Sequence, residues 1–485
     1  MAGIGIKLTK IYDKRSITSN IIGAGYSTAV TIAPMLLVIT TLMLMEILLG
    51  FSDVSYYDRE LFSCTVLYIF IFALLTASPF NAVLSRYMSD VIYKEQYEDI
   101  LPCYYVGLFM NITLSALLGI PFCLHEYFIG HVDVIYVFTG YFGYMALVLS
   151  FYTMLYLSIC KSYSRISLCF LIGMVTAFVL SWIMVKWLGW PTTFSMLIAL
   201  SFGFILVASL EMATLRSYFH DNSKKYKEVL SYFKKYWQLV VTNFLYTLGL
   251  YIHNFVFWTT SMRMELVNTF VCNQPYDMAT CLAMFTNISA SVIFIARVEM
   301  HFHDRYKFYS DAVTGGRRID IENTKSRMFY QMAEEILNLV RVQFIISVIV
   351  FLIAIVILPQ IGFAGLVMRI YPCLAAGYFI MFLMYSAIIF LYYFNDLTGA
   401  VMVSGGFCLG TLVFSILSTY LNPIWFGLGL TIGALIGWCI VYSRFRWLQK
   451  NLDMHIFCNG HVIEQANGKK PSGKVFDRRK GNLNI

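Results

Sequence analysis

The sequence predicts an all-α, polytopic membrane protein of about twelve transmembrane helices in two six-helix halves. Three observations predict it. The 485 residues are 59% hydrophobic and only 13% charged, with a mean hydropathy of +0.70, whereas a soluble globular domain carries roughly 25% charge. Apolar runs of about 20 residues, each long enough to cross a bilayer as a helix, recur along the whole length. A charged passage at 216–237 has six such runs before it and six after it. A closed β-barrel would show short alternating segments instead.

Taken in order, the predicted spans are 27–50, 61–85, 102–124, 133–158, 165–187, 192–213, 238–260, 278–297, 339–358, 372–394, 398–419 and 423–443. Lys7, Lys10, Lys14 and Arg15 precede the first run. That run is too long, and lacks the small-residue site, for a cleavable signal peptide. The chain therefore divides into an N-terminal bundle (1–213), a linker (214–237), a C-terminal bundle (238–450) and a tail (451–485). In the linker Tyr226, Val229, Leu230, Phe233 and Trp237 recur at three- and four-residue steps. This spacing puts them on one face of a helix, with Lys224, Lys225, Lys227, Lys234 and Lys235 turned to the other. Such a helix suits docking on the cytoplasmic membrane surface. Residues 298–338 form a second charged segment, and the tail has the composition of a disordered basic extension. Gly429, Gly433 and Gly437, four apart in the last span, predict close helix packing.

Orientation follows from the loops. With the N-terminus inside, all of the 35 Lys and Arg except Arg59, Lys186, Arg263 and Arg369 fall on the same side. Cytoplasmic loops carry such an excess, so both termini are expected in the cytoplasm and 263–276 outside. The expected location is the cell membrane. Tyr56, Tyr57, Trp187, Trp190, Trp258, Tyr420 and Trp425 mark the outer interface, and Tyr218, Trp237, Tyr392, Tyr393 and Trp447 the inner one.

Polar groups in a bilayer need a partner or a water-filled cavity. Asn81, Asn243, His253, Asn254 and Asn287 lie within spans two, seven and eight. They are candidates for a polar pathway between the halves, where amides and aromatic faces would suit a neutral sugar. Glu46, Arg86, Glu211, Arg297, Glu299 and Asp396 lie near span ends and are candidates for gating or interface charges. Helix–helix hydrogen bonding or snorkelling stands as the alternative for both groups.

No catalytic constellation appears. The chain has no P-loop, no Gly-x-Ser-x-Gly and no His-Glu-x-x-His. It has no soluble segment longer than about 40 residues in which a catalytic domain could fold. His301 and His303, two apart, do not share a helix face, so no metal site is expected, nor any cofactor. The eleven cysteines show no framework. Most lie in spans as small apolar residues, and with Cys272 in an outside loop no structural disulfide is expected. An enzyme is thereby excluded. Transport, or scaffolding in the membrane, remains.

The opening Met-Ala-Gly-Ile-Gly-Ile-Lys-Leu-Thr-Lys-Ile resembles that of the Pel exopolysaccharide transporter family (PelG), whose members begin Met-Ala-Gly-Ile-Gly-Phe; here the sixth residue is Ile6. The stretch from Tyr276-Asp277 to Arg297-Val-Glu-Met-His-Phe-His-Asp-Arg-Tyr306, and Leu391-Tyr-Tyr-Phe-Asn-Asp396, also look like that family. The resemblance runs over nearly the full length, excluding the tail. It implies the multidrug/oligosaccharidyl-lipid/polysaccharide exporter superfamily, with two six-helix bundles around a central cavity. It also implies export of Pel, a polymer rich in N-acetylgalactosamine and galactosamine. The partners implied are a cytosolic glycosyltransferase, a cyclic-di-GMP receptor and a membrane scaffold subunit, with no nucleic acid. It carries no residue-level roles onto this chain. A cation-coupled small-molecule antiporter or lipid-linked oligosaccharide flippase of the same superfamily, and a non-transporting scaffold, are the other readings.

Overall fold

Runs of Leu, Ile, Phe, Met and Ala with few charges satisfy their backbone groups in lipid only as helices, and helix is what they form. The computed structural model describes residues 17–455 except 161, 267–268, 289–298, 362 and 364. Its first six long helices are α1 (Ile17–Leu48), α2 (Tyr56–Tyr93), α3 (Ile100–Phe128), α4 (Val134–Ile159), α5 (Tyr163–Lys186) and α6 (Thr192–Tyr218). The short α7 (Tyr226–Lys235) leads into α8 (Trp237–Phe257), a hairpin of β1 (Met264–Leu266) and β2 (Phe270–Cys272), and α9 (Gln274–Asn287). Then come α10 (Glu299–Gly315), α11 (Arg318–Ile357), α12 (Leu366–Tyr393), α13 (Leu397–Ser418) and α14 (Leu428–Asp453). Each predicted span falls on a helix, the eighth as far as residue 287. Among the described residues ten helices are long and apolar enough to cross a membrane.

Two buried apolar clusters organise these helices. One runs from Val38 to Val229 and fills the bundle of α1–α6. The other runs from Phe257 to Leu452 and fills the bundle of α8, α9 and α11–α14. The fold is all-α and polytopic. At the α13–α14 seam a Cβ on Gly429 would meet the Ser415 backbone, and one on Gly433 the Thr411 backbone. At these two glycines the helix backbones are in contact, while Gly437 faces the Met384 side chain.

Several ends are set by short polar side chains. Ser55 accepts from Asp58 N–H and starts α2, Asn273 accepts from Tyr276 N–H and starts α9, and Asp396 accepts from Gly399 N–H and starts α13. Asn395, with φ of 55°, makes the tight reversal before α13; Asn tolerates this left-handed conformation. α2 crosses Pro79 without breaking. The proline has no N–H for the Leu75 carbonyl, and Ser78 Oγ donates to that carbonyl instead at 3.4 Å.

Three elements differ from expectation. α2, at 38 residues, is about 57 Å long, well beyond a hydrocarbon core of about 30 Å. The charged segment 298–338 is helical: α10 reverses at 316–317, and α11 continues unbroken into span nine. Both tie to the end of α14, where Asp453 accepts from Lys325 Nζ at 2.8 Å and from the Tyr309 hydroxyl. The loop 263–273 is a two-stranded antiparallel hairpin pairing Met264 with Cys272 and Leu266 with Phe270. The opening motif and residues 456–485 lie outside the described residues.

Candidate functional site

The two bundles meet along α2 and α8, and the seam has three levels. The hairpin end is closed by a stripe on α2. Tyr56, Glu60, Cys64 and Tyr68 recur every four residues, so they stack on one helix face. The Tyr56 hydroxyl reaches Met264 Sδ at 3.4 Å, and Glu60 accepts from Gln274 Nε2 at 3.3 Å. Cys64 Sγ lies 2.7 Å from Cys272 Sγ. The Tyr68 hydroxyl donates to Val271 O at 2.6 Å and accepts from Val271 N–H at 3.1 Å, taking the place of a neighbouring strand. From α3, Glu126 accepts from the Thr269 hydroxyl.

The root of the hairpin is fixed in the C-terminal bundle. Asp277 accepts from Asn254 Nδ2 at 2.7 Å, from Trp258 Nε1 at 2.9 Å and from Asn273 N–H at 3.0 Å. A buried carboxylate is tolerated when its lone pairs are met in this way. Trp258 then stacks on Tyr68 of α2, ring centroids 5.0 Å apart. Below it Ile71, Leu75 and Tyr251 continue the seam as apolar packing.

At the middle of the seam Asn243 of α8 donates to Ser78 O on α2 at 3.2 Å and accepts from the Tyr392 hydroxyl at 3.3 Å. Asn81, one helical turn further along α2, carries a buried Oδ1 without a hydrogen-bond partner. At the far end Arg86 of α2 lies 4.2 Å over the Tyr236 ring, a cation–π contact. Val83, Tyr236, Leu239 and Leu397 pack beside it. α7 is held to the N-terminal bundle by buried Val229, by Lys225 Nζ to Asp99 at 3.0 Å, and by the Tyr232 hydroxyl to Asp90 at 3.0 Å. The Asp99 carboxylate raises the pKa of Lys225 above the ordinary lysine value.

A cavity of about 240 Å³ opens within the N-terminal bundle between α2, α3 and α4. Phe72, Leu118, Phe122, Tyr136 and Tyr141 wall it, and Phe270 of the hairpin lies at its edge.

The family described as "PelG: Putative exopolysaccharide Exporter (EPS-E)" matches residues 1–457. The chain belongs to this family. Its fold is shared with "a multidrug resistance MATE family transporter of the MOP superfamily". The outward-facing conformation of that transporter matches with TM-score 0.61 and 13% identity, over 88% of this chain and 96% of that one. An inward-facing conformation matches with TM-score 0.57 and 12% identity, over 80% and 90%. A MOP superfamily transporter from Pyrococcus furiosus Vc1 (DSM3638) matches with TM-score 0.61 and 13% identity, over 88% and 96%. None of the curated proteins matches the chain. The chain is thus a multi-pass membrane protein of the PelG family with a MATE-like transporter fold.

In this PelG-family chain the predicted pathway residues separate into two groups. Asn81 and Asn243 lie on the seam. The other three bond within the C-terminal bundle. His253 is buried between the Tyr276 and Tyr378 hydroxyls, at 2.9 and 3.4 Å. Asn254 supports Asp277. Asn287 donates to Ala283 O and Ala375 O and accepts from Ser347 Oγ. Their partners sit on α9, α11 and α12, helices of their own bundle.

Of the candidate charges, Arg86 is on the seam and Glu46 is half-buried near the end of α1. Asp396 starts α13 and takes a two-pronged bond from Arg444, at 2.7 and 2.8 Å. Glu211 is buried inside the N-terminal bundle with both carboxylate oxygens unpartnered. Arg297 lies outside the described residues, as do the side chains of Glu299, His301 and His303. Among the linker lysines Lys224, Lys227, Lys234 and Lys235 are exposed, and Lys225 is committed to Asp99.

Sequence reasoning missed Asp277, Glu60, Glu126 and Asp99. The signal for Asp277 was present, since an acid at the mouth of a span needs a partner. The four-residue stripe on α2 was also readable, but its mixed chemistry hides it from a hydrophobicity pattern.

Proposed function

We propose that this chain exports a Pel-type exopolysaccharide, rich in N-acetylgalactosamine and galactosamine, across the cell membrane. It would act within a synthase-dependent complex that secretes biofilm matrix. The observation that carries the reading is the match to the exopolysaccharide exporter family over residues 1–457. The chemistry of the seam supports it. Asn81 and Asn243 offer amides on the seam toward its α7 end, flanked by Tyr392 and the stacked pair Tyr246–Tyr385, 4.5 Å apart. Sugar hydroxyls leaving water need such partners, since an unmatched hydroxyl costs a few kcal/mol in an apolar wall. The bonds must also remain weak enough for release.

In this proposal the two bundles act as domains, the linker lysines face the cytoplasm with both termini, and the hairpin faces outward. A cytosolic glycosyltransferase, a cyclic-di-GMP receptor and a scaffold subunit would be the partners. The MATE-like fold favours one other reading, a cation-coupled small-molecule antiporter. Reconstituted vesicles supplied with polymer, with and without a cation gradient, separate the two. Polymer translocation supports the exporter. Gradient-driven efflux of a small cationic dye without polymer movement would replace it with the antiporter.

A further inference from the structure

We propose that Cys64 and Cys272 are a modification site: oxidation joins them as a cystine that fastens the outer hairpin to α2. Their sulfurs are 2.7 Å apart and both residues are buried. A cystine bond is about 2.05 Å long, so the sulfurs need to move by less than about 1 Å. Among the described residues no second pair of thiols is in contact. The two cysteines come from different bundles, one in α2 and one at the end of β2. The Lys and Arg bias puts this end on the extracytoplasmic side, where cystines persist.

The bond would act as a latch because the hairpin is anchored on the C-terminal side. Asp277 holds Asn273, the residue after Cys272, and Trp258 at the end of α8. A Cys64–Cys272 bond therefore joins the bundles covalently where the α2 stripe already joins them by weak contacts. Those contacts alone can separate; with the bond they cannot. The oxidant is a disulfide donor of the extracytoplasmic space. One cysteine thiolate attacks a donor sulfur and expels the other donor sulfur as a thiolate. The second cysteine thiolate then attacks the mixed disulfide and releases the first donor sulfur. Two thiols lose two protons and two electrons, and the donor leaves reduced as two thiols. Burial means the exchange takes place when the hairpin lifts.

The test uses the full chain in membrane vesicles, treated with oxidised glutathione or with dithiothreitol. Free thiols are blocked and the peptides are sequenced by mass spectrometry. The expected result is a Cys64 peptide linked to a Cys272 peptide after oxidation, lost on reduction. Separate blocking of both thiols after oxidation overturns the site. Polymer secretion should fall under oxidant and recover with reductant in the parent, and stay constant in Cys64→Ser and Cys272→Ala. Unchanged secretion by the linked parent overturns the latch, and reversal in the parent needs no variant to fold. The latch rests on the proposed export, but the linked-peptide readout does not. Linkage with no polymer movement in any form would count against export and leave the cystine standing.

Discussion

At the scale of single residues, buried polar groups divide by whom they bond. Asn287 bonds only within its own bundle, whereas Asn243 bonds across the seam and Asn81 keeps a free carbonyl oxygen. The double variant Asn81→Leu with Asn243→Leu should lose polymer secretion while the amount of folded, inserted protein stays at the parent level. Asn287→Leu should do the reverse, lowering thermal stability by about 1–3 kcal/mol because partners are left unmet in a buried site. Secreted polymer per unit of folded protein, with melting in detergent, reads both. Normal secretion from a stable double variant would remove the two amides from the pathway. Asp396→Ala strands the half-buried Arg444 and removes the α13 cap. Its expected cost is about 3–5 kcal/mol, read as a large drop in melting temperature. A melting curve equal to the parent's would show that the pair is dispensable.

At the scale of elements, α14 and α7 behave differently under substitution. Gly433 faces Thr411 backbone, which cannot yield. Gly433→Ala should force α13 and α14 apart at a cost of about 1–3 kcal/mol. At Gly437 the neighbour is the flexible Met384 side chain, so Gly437→Ala should cost less; equal losses at the two sites would contradict the packing account. α7 exposes Lys227, Leu230, Lys234 and Lys235, with exposed Lys224 just before it and Trp237 at the start of α8. An anionic leaflet attracts each basic residue by about 1 kcal/mol. Reversing these four charges should weaken linker docking, or recruitment of a cytosolic synthase, and reduce secretion. Wild-type secretion and complex assembly would leave α7 as a connector. Lys225→Ala should act through Asp99 instead, loosening α7 from α3 without changing lipid dependence.

At the scale of the whole molecule, the charge bias makes a topological prediction. Tyr420 lies in the exposed turn between α13 and α14. Tyr420→Cys should react with an impermeant thiol reagent in intact cells, above the background of the parent cysteines. Reaction only in broken cells would invert the proposed orientation. Asn273, at the same end of the molecule, is a poor reporter, because it is fully buried as the cap of α9.

The all-α polytopic fold, the places of the apolar helices and the close packing at Gly429 and Gly433 were legible in the sequence. Each depends on short-range quantities: the length of an apolar run, the count of charges in a loop, the four-residue step along one helix. The family resemblance was carried by local motifs in the same way. Which polar residues meet was not legible. Cys64 and Cys272 are 208 positions apart, and Asn243 finds Ser78 across 165. Nothing in the local pattern distinguishes Asn243 on the seam from Asn254 inside a bundle. Both lie on α8, and the choice depends on how that helix is rotated against α2. Helix rotation is settled by the packing of all neighbouring side chains at once. The sequence by itself therefore determined the helices and their order, and the tertiary structure decided which faces became core, seam and closure.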